Sequence, residues 1–326
     1  MGLGGSANRK SILISVSAKT SVIICAYNYG RFLPRCLESV MSQTRPVDEI
    51  ILIVTSFCRV KYIRQEHEGK AAAFNRGFAA SEGDLICHLD ADDYWLPKKL
   101  EETIDVLSET VAGGLTHDAF YVDGQGNFLY GSKPGDNGPH LRRHLSFRDA
   151  LLMCFTYRPR SGVQGTFGVV NTLCVRRQAV ADLLPLPEPL GLAVDGALLL
   201  GAARSGLIYL PKRLSAYRHH ECNQFVRDPK SLEFQCRLFR WAAQLQGVTG
   251  TYERSLLEAL ALQADVQAAM ALNEQPLKTA FKASALPTKL LHLGLIPHWK
   301  HFAMPVASLL RWRKIRGALQ RGVKLY

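Results

Sequence analysis

After Glu274 the sequence contains no aspartate or glutamate, while Lys278, Lys282, Lys289, Lys300, Arg311, Arg313, Lys314, Arg316, Arg321 and Lys324 all follow. The net charge of +12 is therefore unevenly spread. A basic tail of this kind suits an anionic membrane surface or nucleic acid, and a solvated helical tail is the plainer alternative. No Cys-x-x-Cys pair occurs among the eight cysteines. Cys25 and Cys87 fall inside apolar runs, so free buried thiols in a reducing compartment fit better than a disulfide framework or a zinc site. The apolar run Ile12–Val16 is too short for a signal peptide. A clean membrane span is also missing, because Pro297, Lys300, Pro305 and three histidines interrupt the nearest attempt, 290–310. Internal repeats are absent. What remains is a chain of 326 residues, 47% hydrophobic, with a mean hydropathy of -0.02. That is the composition of a folded α/β protein.

The periodicity divides the chain into an arm (1–19), an α/β body (20–225) and a helical, basic C-terminal extension (226–326). Within the body, 20–107 alternates strands and helices. Ser21-Val-Ile-Ile-Cys25 reads as a strand ending in the turn Ala26-Tyr27-Asn28-Tyr29-Gly30, and Phe32, Cys36, Leu37 and Val40 recur at helical spacing. Glu49–Val54 predicts a strand buried on both faces, 70–80 a helix, and Asp84–Leu89 another strand. That rhythm argues for an open, mostly parallel sheet flanked by helices. From 108 to 225 shorter strands are expected, with a hairpin turning at Asp123–Asn127.

Leu89-Asp90-Ala91-Asp92-Asp93 closes the last strand of the first half. Open α/β sheets bind ligands at the carboxyl ends of their strands. Three carboxylates within four residues repel one another unless a cation neutralises them, and Mg²⁺ or Mn²⁺ suits short, hard aspartates. Taken singly, the cluster also fits a surface turn, or a cap with Asp93 before a helix containing Leu96 and Leu100. Asp195 alone reads as an acid in the first turn of a helix. His220 alone reads as a structural histidine, and Arg218 alone as a surface charge.

Read in order, Thr20–Asn28, Leu37–Thr44, Gly69–Asp84, the Asp90–Asp93 cluster, Ala193–Gly196 and Leu214–Asn223 resemble glycosyltransferase family 2, over about two-thirds of the chain. The resemblance implies a GT-A fold and an inverting transferase acting with Mg²⁺ or Mn²⁺. It would move a sugar from a nucleotide diphosphate donor, with a UDP-sugar expected, to a carbohydrate or lipid-linked acceptor hydroxyl. Polysaccharide or glycolipid synthesis is the implied setting. By the same resemblance Ala26, Tyr27, Asn28, Lys70, Asn75, Asp90 and Arg218 bind the donor. Asp90, Asp92 and His220 hold the metal, and Asp195 is the catalytic base. A cytoplasmic enzyme, peripheral on the inner face of the membrane and without nucleic acid, is expected.

One segment departs from the family pattern. After Val54 the acidic turn and helix of relatives are missing, and a strand-like run (59–64) follows almost at once. A parallel crossover usually needs a dozen or more residues, so either this run continues out of the preceding strand as an extended or bulged edge, or it takes its usual place through a tight, strained link, and base identity stays open. The shortened segment also admits a degenerate, non-catalytic member that binds a partner or membrane. A sugar nucleotidylyltransferase is a more distant alternative, because Ala26–Arg31 lacks the Gly-rich basic loop such enzymes carry.

Overall fold

The computed structural model describes residues 18–54, 62–130, 142–155, 170–221, 223, 231–245 and, further on, 248, 253–254, 257–258 and 260–261. They fall into two compact units. The first gathers the chain up to Glu68 with 72–185 and 198–220; the second gathers 69–71, 186–197 and the residues from 221 onward.

In the first unit, β1 (Thr20–Ala26), β2 (Glu49–Val54), β3 (Tyr62–Arg64) and β4 (Leu85–Asp90) lie parallel in the order β3-β2-β1-β4. Their apolar runs are continuous because both faces are covered. Val22, Ile24, Leu52, Leu85 and Leu89 pack with Leu33, Cys36 and Val40 of α1 (Leu33–Met41) and with Leu100 and Ile104 of α3 (Lys99–Ser108). Ile51 and Ile53 point the other way, onto Ala73 of α2 (Gly69–Ala80). A strand alternates its side chains between faces, so a two-sided apolar run needs a layer on each side. Gly77 is where α2 meets β1: a Cβ there would lie 2.5 Å from Ile23 Cγ2.

Beyond β4 the sheet becomes mixed. Two-residue β5 (Tyr94–Trp95) precedes α3, and β6 (Gly114–Val122) and β7 (Phe128–Tyr130) form the expected hairpin. Next come β8 (Arg143–Leu145), α4 (Phe147–Phe155), β9 (Cys174–Arg176), α5 (Arg177–Val180), α6 (Val194–Ala203) and β10 (Leu207–Arg218). The order continues β4-β9-β6-β10-β5, with β9 antiparallel to both neighbours and β10 parallel to β6. Arg176, 2% exposed, ties β9 to the end of α3: its guanidinium donates to the carbonyls of Leu107, Thr110 and Ala112 at 2.8, 2.6 and 2.6 Å.

Two expectations change, and one left open is decided. The strands of the second half are not all short, because β6 has 9 residues and β10 has 12. Leu96 lies outside any helix, since the residues after Asp93 pair as β5 with β10 and α3 begins only at Lys99. Of the two placements expected for the run after Val54, the structure has the second: β3 pairs in parallel with β2, Leu52 opposite Tyr62 and Val54 opposite Arg64. The pairing is possible because β3 is so short. A link from Val54 to Tyr62 must return only two residues, about 7 Å, and step about 5 Å sideways. The seven intervening residues, 55–61, could span about 24 Å; they lie outside the described residues.

In the second unit, α7 (Ser231–Ala242) packs on a 3-10 stretch, Glu188–Ala193. Gly191, at φ 51°, sits against the Phe234 ring, and Gly196 against Leu238, each without room for a Cβ. Most of the expected C-terminal extension, including the basic tail, lies outside the described residues. Among those described, no helix is long and apolar enough to cross a membrane.

Candidate active site

The acidic turn is built by the end of β4. Asp93 N–H donates to the Asp90 carbonyl at 3.1 Å, closing the turn, and the chain then reverses into β5. Asp90 is half-buried, while Asp92 and Asp93 are 6% and 2% exposed. Such carboxylates need partners, and β10 supplies them. Asp93 Oδ1 accepts the Arg218 N–H at 2.8 Å, and its Oδ2 accepts from Asn171 Nδ2 at 3.0 Å. Asp92 Oδ2 lies 3.0 Å from His220 Nε2. Burial pushes the Asp92 carboxyl up; the His220 hydrogen bond opposes the shift, and the Asp90 charge adds to it. The same charges are felt at Cys36, whose thiol is pushed well up first by burial and then by Asp93, Asp92 and Asp90. The three carboxylates make the turn electronegative, with Arg218 opposing them.

Arg218 does not stand out at the surface. It is 5% exposed, with Nε donating to the Asp92 carbonyl at 2.8 Å and Nη1 to the Gly124 carbonyl at 3.0 Å. Its guanidinium lies 4.9 Å from the Phe32 ring centroid and 5.5 Å from that of Tyr94. Phe32 also packs on His220 at 4.5 Å, and Tyr29 meets that histidine edge-on. The β6–β7 turn and the start of α1 therefore brace the acidic turn through Arg218 and His220.

A divalent ion fits this donor set. Among the described residues, no group of three or more His, Cys, Asp or Glu side chains converges to hold an ion unaided. Mg²⁺ and Mn²⁺ seldom ask for that, taking one or two carboxylates and completing their shell with water and phosphate. Neighbouring ligands on an octahedral ion at about 2.1 Å stand about 3 Å apart, so Asp92 Oδ2 and His220 Nε2, hydrogen-bonded to each other at 3.0 Å, would have to give up that bond and its proton to face one ion.

Beside this turn lies the end of β1, since Cys25 is opposite Asp90 in register. Ala26, Tyr27 and Asn28 follow. Asn28 adopts φ 58°, a left-handed conformation that asparagine tolerates and that turns the chain sharply. Tyr27, 38% exposed, stacks on His67 with centroids 3.9 Å apart, a flat aromatic platform at the strand end. Asn75 is half-buried on α2. In the second unit, Lys70 Nζ stands 3.4 Å from Asp195 Oδ1, the latter in the first turn of α6.

The structure thus brings together Asp90, Asp92, Arg218 and His220, and separately Lys70 with Asp195. Reasoning from sequence missed Asn171, His67 and Phe32. The first two lie in no recognisable motif, whereas Phe32 was legible only as a helix-face residue.

The sequence profile of Glycosyl transferase family 2 matches residues 21–182. A glycosyltransferase of Nostoc sp., itself uncharacterized, is 30% identical over 226 residues, covering 64% of this chain and 67% of the relative. The chain spans less than a fifth of the length of the rickettsial glycosyltransferases it also matches.

The chain belongs to glycosyl transferase family 2.

The enzyme is accordingly a glycosyltransferase, and its mixed, mostly parallel sheet is the GT-A fold. TarS of S. aureus (residues 1–349, solved with UDP-GlcNAc) superposes with a TM-score of 0.60 at 15% identity, over 94% of this chain and 93% of that one. A mannosyltransferase of Pyrobaculum calidifontis, solved with GDP-Man and Mn²⁺, superposes with a TM-score of 0.51 at 15% identity, over 90% and 86%. The family match ends before α6 and β10. In this transferase the parts assigned to Asp195, Arg218 and His220 therefore rest on resemblance and geometry.

Proposed function

We propose that the transferase is metal-dependent and inverting, moving a sugar from a nucleotide diphosphate donor, a UDP-sugar, to the hydroxyl of a carbohydrate or lipid-linked acceptor. The observation that carries this reading is the buried Asp92–His220 pair, at ligand spacing, on the electronegative turn that ends β4. The solved relatives that bind UDP-GlcNAc, or GDP-Man with Mn²⁺, support it.

Asp90, Asp92 and His220 would hold the ion. When bound, a divalent cation supplies neutralisation of the charge that builds on the leaving diphosphate. The chain's own residues do the rest. The Tyr27–His67 stack, beside the acidic turn, offers a face for a nucleobase. Arg218, expected among the donor contacts, donates to the Asp92 and Gly124 carbonyls and so also shapes the turn. Asp195 takes the acceptor hydroxyl proton as that oxygen attacks the anomeric carbon and the bond to the diphosphate oxygen breaks. Lys70 orients the Asp195 carboxylate through the ion pair. Attack from the face opposite the leaving group inverts the anomeric centre.

The test separates donor binding from chemistry. Asp90→Asn and Asp92→Asn should each abolish Mn²⁺-dependent donor binding, read by calorimetry, together with transfer. Asp195→Asn should keep donor affinity and lower kcat by about two to four orders of magnitude. Turnover that survives a chelator ends the metal proposal. Wild-type donor binding without any turnover would favour the non-catalytic alternative.

A further inference from the structure

Asn171 is wholly buried, in the 3-10 turn Val170–Thr172 that precedes β9, and its polar capacity is almost fully used. Its Nδ2 donates to Asp93 Oδ2 and to the Ala216 carbonyl, both at 3.0 Å. Its Oδ1 accepts from Ser215 Oγ at 3.2 Å, and its main-chain carbonyl accepts from Trp95 Nε1 at 3.0 Å. The amide can point only this way. Flipped, its oxygen would face a carboxylate and a carbonyl, two acceptors, while its nitrogen met the Ser215 hydroxyl.

These bonds join two stretches far apart in sequence. One is the acidic turn with β5, held at Asp93 and Trp95. The other is the end of β10, held at Ser215 and Ala216, two residues before Arg218 and four before His220. Asp93 completes the bridge by accepting the Arg218 N–H. Asn171 therefore grips the chain neighbours of both Asp92 and His220 without touching either one. No apolar side chain could do this, because it would leave Asp93 Oδ2 and the Ala216 carbonyl unmatched in a buried setting, while the Trp95 bond, made to the main chain, would persist.

We infer that Asn171 is a positioning residue of the transfer site, locking the acidic turn to the end of β10 so that Asp92 and His220 stay at ligand spacing. The inference rests on the metal-dependent reading proposed above and extends it to a residue outside the ligand set. A side chain that only filled the core would affect stability alone. One that sets the spacing of a ligand pair must also change how much metal the site requires.

The experiment measures UDP binding by calorimetry across a MnCl₂ series, at a temperature well below each variant's unfolding midpoint. Asn171→Ala should raise the Mn²⁺ concentration for half-maximal UDP binding at least tenfold. Ser215→Ala, which removes only the donor to Oδ1, should raise it a few-fold and serves where the first variant does not fold. Ile51→Ala, a core truncation on β2 in the separate cluster with Ile53 and Ala73, should lower the melting midpoint and leave the Mn²⁺ requirement unchanged. A wild-type Mn²⁺ requirement in both folded Asn171→Ala and Ser215→Ala overturns the inference while the functional reading stands. Absence of Mn²⁺-dependent UDP binding in the wild type overturns that reading, and the inference with it.

Discussion

Asp118 on β6 is 3% exposed and accepts the Tyr209 hydroxyl at 2.8 Å. Burial pushes its carboxyl up to about 6, against the opposing pull of Tyr209 and Arg213. The folded chain thus holds this proton more tightly than the unfolded chain does. Linkage then fixes the sign: between about pH 4 and pH 6 the folded state binds more protons, so stability falls as pH rises. Two units correspond to roughly 3 kcal/mol at most. Asp118→Asn has no proton to lose and should flatten this limb. Melting midpoints of the two proteins should converge, or cross in favour of the variant, between pH 4 and pH 6.5; a constant offset across that range would assign the loss to other groups. The acidic turn is built differently. Asp93 accepts hydrogen bonds at both oxygens, from Asn171 Nδ2 and from the Arg218 N–H, whereas Asp92 Oδ2 pairs with His220 Nε2.

At the scale of elements, the junction of α2 with β4 depends on a residue with no side chain. Gly83 N–H donates to Ser21 Oγ at 2.8 Å, and a Cβ at 83 would lie 2.6 Å from Ser21 N and 3.0 Å from the Lys19 carbonyl. Those neighbours are backbone and cannot swing away. Gly83→Ala should cost about 1–3 kcal/mol, lowering the urea midpoint with little change in slope, while Gly30→Ala, with nothing within 4 Å, should be near neutral. Equal midpoints for the two variants would mean that the strand ends yield more easily than this packing implies. The same elements show what a sequence displays. β1, β2, β4, α1 and α2 were legible to within a residue or two because each carries its own apolar period. β5 was not: its two residues take their partners from β10, some 120 positions later, and the Leu96–Leu100 spacing mimicked a helix. β9 has only three residues and escaped notice for the same reason. In the site, Asp90, Asp92 and His220 were legible through their motifs. Asn171 and His67 were not, since a buried amide or a stacked imidazole owes its place to tertiary neighbours and leaves no local pattern.

For the whole molecule, the uneven charge is the clearest signal in the C-terminal sequence. The tail, which lies beyond the described residues, combines Trp299, Trp312 and many leucines with lysine and arginine and no acid after Glu274. That composition suits an interfacial segment on anionic lipid. The intact protein should float with acidic liposomes and release as salt is raised, and truncation after about Ala285 should remove most of that binding; equal flotation by both forms would return the tail to a plain appendage. The strand order has a different kind of consequence, one of timing. Asp92 and His220 are 128 positions apart, and ribosomes add about 5–20 residues each second. A nascent chain therefore displays its acidic turn for about 6–26 s before β10 exists to close over it. Through that interval the carboxylates are solvated and unclamped, and the turn is completed only once His220, just over two-thirds of the way along these 326 residues, has been added.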